Sequence, residues 1–295
     1  MTPTPGPLTS AALTVLATAM ALTATREAAA APEMTDAALS FCRMELAFAD
    51  EFDDLSIAPR ELGSARWIAH TPWGGDFGDA VFSDPGPGSP FTVRDGILAI
   101  TASKDADGTW RSGLLASADS TGRGFGLRYG YFEARSKLPT GPGTWPAFWL
   151  NAIPDDTAAD ATMEVDILEY YGHARASYQA AYHLWSADPS REGGGLTTFA
   201  VPNGSLEADF HTYGAKVTPD HITFYLDRQP MWQVPTPASH RNRLMLLVNL
   251  ALGSGFSISD TPNPTTMLVD YIRAYSFREP APDCTDEQAA ADDPP

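Results

Sequence analysis

Between about residues 45 and 277 the chain is punctuated so often by Gly, Pro, Asn and Asp that no long amphipathic helix fits, and the stretches between these breakers alternate with a period of two. This pattern confines the fold to antiparallel strands joined by turns. Residues 91–93 and 97–101 flank Arg94-Asp95-Gly96, where Asp-Gly supplies a hairpin turn. Residues 129–138 alternate Phe132 and Ala134 on one face with Tyr131, Glu133 and Arg135 on the other. Residues 211–217, 222–226 and 231–234 form a meander that turns at Pro219-Asp220. Residues 244–252 are a nearly unbroken apolar run, which predicts a strand buried on both faces. Residues 267–275 close the series. Short strands at this spacing predict an all-β sandwich or barrel, and no internal repeat or Pro-rich linker divides it.

The ends read differently. Residues 8–24 carry no charge and lead to an Ala run at Ala28, Ala29, Ala30 and Ala31. Residues 1–31 are therefore expected to be a secretory signal peptide, although no Lys or Arg precedes the apolar segment. Residues 279–295 hold Glu279, Asp283, Asp286, Glu287, Asp292 and Asp293 with four prolines and no base, the composition of an acidic disordered tail. Cys42 and Cys284 are the only cysteines, and export makes a disulfide between them an expectation. With 37 acidic against 19 basic residues the chain carries a net charge of −18, so no basic face is available for nucleic acid. No Gly-x-Ser-x-Gly elbow, His-Glu-x-x-His helix or paired Cys-x-x-Cys occurs, which leaves serine hydrolase and zinc chemistry without a motif.

One segment concentrates acid: Thr162-Met-Glu164-Val-Asp166-Ile-Leu-Glu169-Tyr170. In a strand Glu164 and Asp166 share a face, whereas Glu169, five positions from Glu164, falls on the other. A β-bulge at Ile167-Leu168 adds one residue, lets both apolar side chains pack inward and returns Glu169 to its partners. Two such glutamates can bring their carboxyls to the separation of about 5–5.5 Å that retaining glycoside hydrolysis needs. Crowded carboxylates also raise one another's pKa, which keeps a general acid protonated. Just upstream, Trp145 and Trp149 share one face and offer flat apolar platforms for sugar rings.

These residues resemble the active-site signature of glycoside hydrolase family 16 in its longer, bulged form. The resemblance continues through Tyr129-Gly-Tyr-Phe-Glu-Ala-Arg135, Trp145-Pro-Ala-Phe-Trp149-Leu, Asp209-Phe-His-Thr-Tyr213, Ile222-Thr-Phe-Tyr-Leu-Asp227, Asn249-Leu-Ala-Leu-Gly253 and Val269-Asp-Tyr-Ile-Arg-Ala-Tyr275, so the catalytic domain is placed at 42–278. It implies a concanavalin A-like β-jelly-roll sandwich of two antiparallel sheets with a concave substrate cleft, and a retaining double displacement. By the same resemblance Glu164 is the nucleophile, Glu169 the acid/base and Asp166 the residue that tunes the nucleophile. Trp145 and Trp149 match donor-side aromatics, and His183 matches a histidine near the leaving group. Asn249 interrupts an apolar strand, so it must hydrogen-bond either internally or to sugar hydroxyls. The family also implies a structural calcium, with Glu51, Asp270 and a Gly96 carbonyl as its ligands, although Glu51 and Asp270 have bases such as Arg273 to pair with instead. No cofactor is needed for catalysis.

The expected function is a secreted or periplasmic endo-hydrolase of β-1,3- or mixed β-1,3/1,4-glucan, acting as a monomer on polysaccharide, with no membrane or nucleic-acid partner. The alternatives are an exopolysaccharide or galactan depolymerase of the same family, or a non-catalytic lectin-like jelly roll. A lectin has no use for Glu164, Asp166 and Glu169 together.

Overall fold

The computed structural model describes residues 34–35, 37–154 and 161–279, and in them the alternating segments are strands. In chain order these are β1 (Met44–Asp50), β2 (Ile57–Ala58), β3 (Trp67–Ile68), β4 (Val81–Phe82), β5 (Phe91–Arg94), β6 (Ile97–Lys104), β7 (Trp110–Ala116) and β8 (Gly130–Lys137). There follow β9 (Thr144–Ala152), β10 (Thr162–Glu169), β11 (Ser177–Trp185), β12 (Gly193–Ala200), β13 (His211–Val217), β14 (His221–Leu226), β15 (Gln229–Pro235), β16 (Leu244–Leu252) and β17 (Thr265–Phe277). The hairpin at Asp95-Gly96 forms as read: Arg94 pairs with Ile97, and both turn residues have positive φ, 53° and 75°. That is the backbone twist a two-residue hairpin needs.

One sheet runs β12-β11-β10-β9-β16-β7, each pair antiparallel. The other runs β15-β14-β13-β8-β17, and the far edge of β17 is shared by β6 and β1. The ends of β6 and β7 pair where the chain passes between the sheets. The two sheets bury one core. Phe132, Ala134, Ala215 and Ile272 from the second meet Phe148, Leu150, Val165, Ile167 and Val248 from the first. Each large aliphatic or aromatic side chain buried there contributes roughly 1.5–3 kcal/mol. The fold is the expected two-sheet sandwich.

The apolar run of β16 is explained by its place. All nine residues are buried; Leu244, Leu246, Val248, Leu250 and Leu252 face the core between the sheets. Met245, Leu247 and Ala251 face the other way, into a second cluster with Ile68, Phe82, Leu114 and Trp149. Leu62, Phe77 and Phe82 of β4 cover this part of the sheet, and Phe77 makes part of one wall of a cleft.

The outer face of the second sheet is covered too. Phe41 packs edge-on against Tyr131 and Tyr275, the Tyr225 hydroxyl donates to the Ala37 carbonyl at 2.7 Å, and Lys216 Nζ donates to the Ala38 carbonyl at 3.1 Å. Beneath this strap lies Glu133, fully buried, accepting from the Tyr131 hydroxyl at 2.9 Å and from Arg228 at 2.9 and 3.1 Å. A buried carboxylate is tolerable only when bound in this way.

Cys42 is not a free thiol. Its expected partner Cys284, the signal segment 1–31 and nearly all of the tail 279–295 lie outside the described residues. Among the described residues no helix is long and apolar enough to cross a membrane.

Candidate active site

Strand β10 carries one residue more than its neighbours over the same span. Against β9, Glu164 lies opposite Asn151, Asp166 opposite Trp149 and Glu169 opposite Ala147. Against β11 the same three lie opposite His183, Ala181 and Gln179. Partner positions that fall by two on each side lie on one face, so the uneven steps of two and three in β10 are evened out by a bulge after Asp166. Ile167 and Leu168 both enter the core, as a bulge there requires. The three acids, His183, Trp145, Trp149 and Asn249 line one cleft.

Sequence reasoning missed two walls of this cleft, Trp73 and Phe77. Both sit in the irregular loop after β3. Phe77 packs edge-on against Trp145 at 5.3 Å and Trp149 at 6.0 Å, and Trp73 meets Trp149 at 6.0 Å between ring centroids. The loop is pinned by Gly78, whose φ of 77° and close approach leave no room for a side chain: an added Cβ would lie 2.7 Å from the Leu252 carbonyl. Asn249 finds its partners inside the protein. It accepts from Trp149 Nε1 at 2.9 Å and donates to the Trp145 carbonyl at 3.4 Å, so it orients the aromatic floor from the edge of the cleft.

Each acid has its own partners. Asn151 Nδ2 donates to Glu164 Oε2 at 2.7 Å, a contact signalled by an Asn two positions beyond Trp149 on an otherwise apolar strand. Glu169 Oε1 accepts from Trp145 Nε1 at 3.1 Å and from the Tyr171 hydroxyl at 3.2 Å. Asp166, only 6% exposed, lies 3.3 Å from His183 Nε2. Burial, reinforced by the charge of Asp166, pushes the Glu164 carboxyl up to about 7. The same two causes in the same order raise Glu169. Asp166 is raised by burial against the pull of His183, and the hydrogen bond to Asp166 in turn raises His183. Neighbouring carboxyls this close titrate together, so the cleft holds protons well above the ordinary carboxylate range.

The model of the family "Glycosyl hydrolases family 16" matches residues 88–260, more than half of the chain. The chain belongs to glycoside hydrolase family 16. Within family 16 it is 31% identical over 259 residues to the endo-1,3-1,4-beta-glycanase ExsH of Rhizobium meliloti (strain 1021), covering 78% of this chain and 51% of that protein. It is likewise 31% identical over 212 residues to the glucan endo-1,3-beta-glucosidase A1 of Niallia circulans, covering 62% of this chain and 30% of the relative. The chain thus spans about half or less of these relatives' lengths. Among solved family 16 structures, SCLam, a non-specific endo-beta-1,3(4)-glucanase, superposes with a TM-score of 0.61 at 25% identity, over 80% of this chain and 92% of that one. The endo-1,3-beta-glucanase (laminarinase) catalytic domain of Thermotoga petrophila RKU-1 gives the same TM-score, 0.61, at 24% identity, over 80% and 99% of the two chains, and confirms the jelly-roll fold.

The two carboxylates expected as calcium ligands, Glu51 and Asp270, are both ion-paired. Arg273 grips Glu51 through two nitrogens at 2.8 and 3.0 Å, and Arg135 holds Asp270. Gly96 does approach Glu51, with its Cβ position 3.6 Å from the Glu51 carbonyl. As placed, however, the two carboxylates are neutralised by guanidinium groups and do not form the oxygen cage that calcium takes.

The electrostatics predict a pH signature. A cationic His183 favours ionised Glu164 and Asp166, so its removal lets both keep their protons to higher pH. In His183→Gln the acid limb of kcat/KM is expected to move to higher pH than in the parent. A pH–rate profile with an unmoved acid limb would show that His183 acts without its charge.

Proposed function

We propose that this chain is an exported, monomeric, retaining endo-hydrolase of β-1,3- or mixed β-1,3/1,4-glucan. The observation that carries this reading is the alignment of Glu164, Asp166 and Glu169 on a single face of β10, in register with Asn151, Trp149 and Ala147, inside an aromatic cleft. A glucan seated across Trp145 and Trp149 presents its anomeric carbon to Glu164, while Glu169 donates its proton to the departing oxygen. The C–O bond to the leaving chain breaks as the ester to Glu164 forms. Water then enters, loses a proton to Glu169 and displaces Glu164, so two inversions restore the β configuration.

The partners of each acid support these roles. Asn151 and Trp185 donate to Glu164, which fixes its attacking oxygen. Trp145 and Tyr171 donate to Glu169 Oε1, which leaves the other oxygen to face the glycosidic bond. The raised pKa of Glu169 suits an acid that must be protonated before each cycle.

A second reading within the family is a depolymerase of another polysaccharide, as relatives named keratan-sulfate endo-1,4-beta-galactosidase and kappa-carrageenase illustrate. Against a sulfated substrate stand the net charge of −18 and a cleft lining in which, among the described residues, His183 is the sole cationic side chain. A digest panel of laminarin, lichenan, agarose, galactan and a bacterial exopolysaccharide, with linkage analysis of products, decides between them. Internal cuts of laminarin or lichenan, with the β anomer formed first, are the expected result. Cleavage confined to agarose, galactan or the exopolysaccharide would overturn the glucan assignment.

A further inference from the structure

An endo-acting cleft has to hold sugar on both sides of the bond it cuts, yet the aromatic walls described so far all lie on one side. Trp145 and Trp149 are on β9, Phe77 packs against both and Trp73 against Trp149, and β10 separates this group from β11 and β12. On the far side stands Trp185, two positions beyond His183 on β11 and therefore on the same face. Its ring stacks on the His183 imidazole at 5.3 Å and 25°, and its indole N–H donates to Glu164, yet it is 50% exposed. An indole left so open beside a reactive carboxylate has an apolar face with nothing on it.

The neighbouring strand is bare where this face needs room. Gly194 lies opposite His183 and shares its face, so no side chain rises from β12 at that position, while Gly193 and Gly195, opposite Leu184 and Tyr182, belong to the other face. The next residue, Leu196, lies opposite Ala181 and is 55% exposed. The result is a shallow floor with an apolar side chain at each end. A β-linked glucose, with its hydroxyls equatorial, turns flat C–H faces to such a surface.

We propose that Trp185, beside the floor made by Gly194 and Leu196, is the platform for the sugar ring on the leaving-group side of the bond. The walled half holds the ring that is bonded to Glu164 in the intermediate; the open half holds the ring that departs. This inference rests on the glucanase reading of the site and adds to it a residue that governs how the leaving chain is held.

The test separates the ring face from the indole N–H. Trp185→Phe keeps an aromatic face and loses the donor, whereas Trp185→Ala loses both. The two variants, matched for melting temperature, are compared on laminarihexaose and on β-laminaribiosyl fluoride, whose leaving group is too small to reach the platform. The expected result is a kcat/KM for the Ala variant about tenfold or more below that of the Phe variant on the hexaose, but within about twofold on the fluoride. An equal ratio of the two variants on both substrates would overturn the platform while leaving the catalytic assignment in place. A parent enzyme that cleaves neither substrate would overturn the glucanase reading, and the platform with it.

Discussion

Glu164→Ala is expected to lower hydrolysis of the natural glucan by a factor on the order of 10⁴ or more, the scale seen when a nucleophile is removed. The fold should survive, because Glu164 lines the cleft and not the core, as do its neighbours Asp166 and His183. Burial, reinforced by the charge of Asp166, disfavours this carboxyl in its ionised form, so on its removal the melting temperature should hold or rise. Azide is small enough to enter the space left and attack the anomeric carbon directly. A single inversion then gives the α-glycosyl azide. Its detection by NMR, with activity partly restored, checks the role. Parental activity in this variant would exclude Glu164 as the nucleophile.

Glu169→Ala should fail differently. Loss of a general acid costs roughly 10²–10⁴-fold, and the cost falls where the leaving group needs no proton. The variant is therefore expected to be crippled on glucan and far less so in forming the intermediate from an activated aryl glycoside. The intermediate then accumulates, because Glu169 is also the base that activates water, and azide releases it as the β-glycosyl azide. The opposite anomers from the two variants distinguish nucleophile from acid/base without reference to rate. Equal losses on both leaving groups would remove Glu169 from the acid role. Its partners also shift: Trp145 and Tyr171 lose a shared acceptor, so some loss of sugar binding should accompany the rate effect.

Much of this site was legible in the sequence because its signals are local. Glu164 and Asp166 share a face by the period of a strand, and the adjacent Ile167 and Leu168 announce a bulge, since two neighbouring apolar residues can both face inward only if the alternation breaks. The run in β16 announced burial on two sides for a similar reason. What was not legible depends on contacts far apart in the chain. Trp73 and Phe77 belong to a loop without periodicity, placed by contacts such as the Asp79 N–H donating to the Leu252 carbonyl at 2.8 Å. The strap of residues 37–43 is too short to show a pattern, so its cover over Glu133 was invisible. The calcium expectation met Arg135, which shares the outer face of β8 with Tyr131 and Glu133 and reaches Asp270 across the β8–β17 ladder, a pairing no motif encodes.

The extra residue in β10 works like a vernier between two rulers of different pitch. Length changes there cannot tune the chemistry by degrees. Deleting Ile167 alone would remove the bulge and leave Glu164, Asp166 and Glu169 in plain alternation on one face, whereas deleting Ile167 and Leu168 together would place Glu169 directly after Asp166 and send it toward the sandwich interior. The doubly shortened chain would keep every catalytic residue in its composition and lose the reaction, so this short stretch is one where lineages of the fold should diverge by whole steps or not at all.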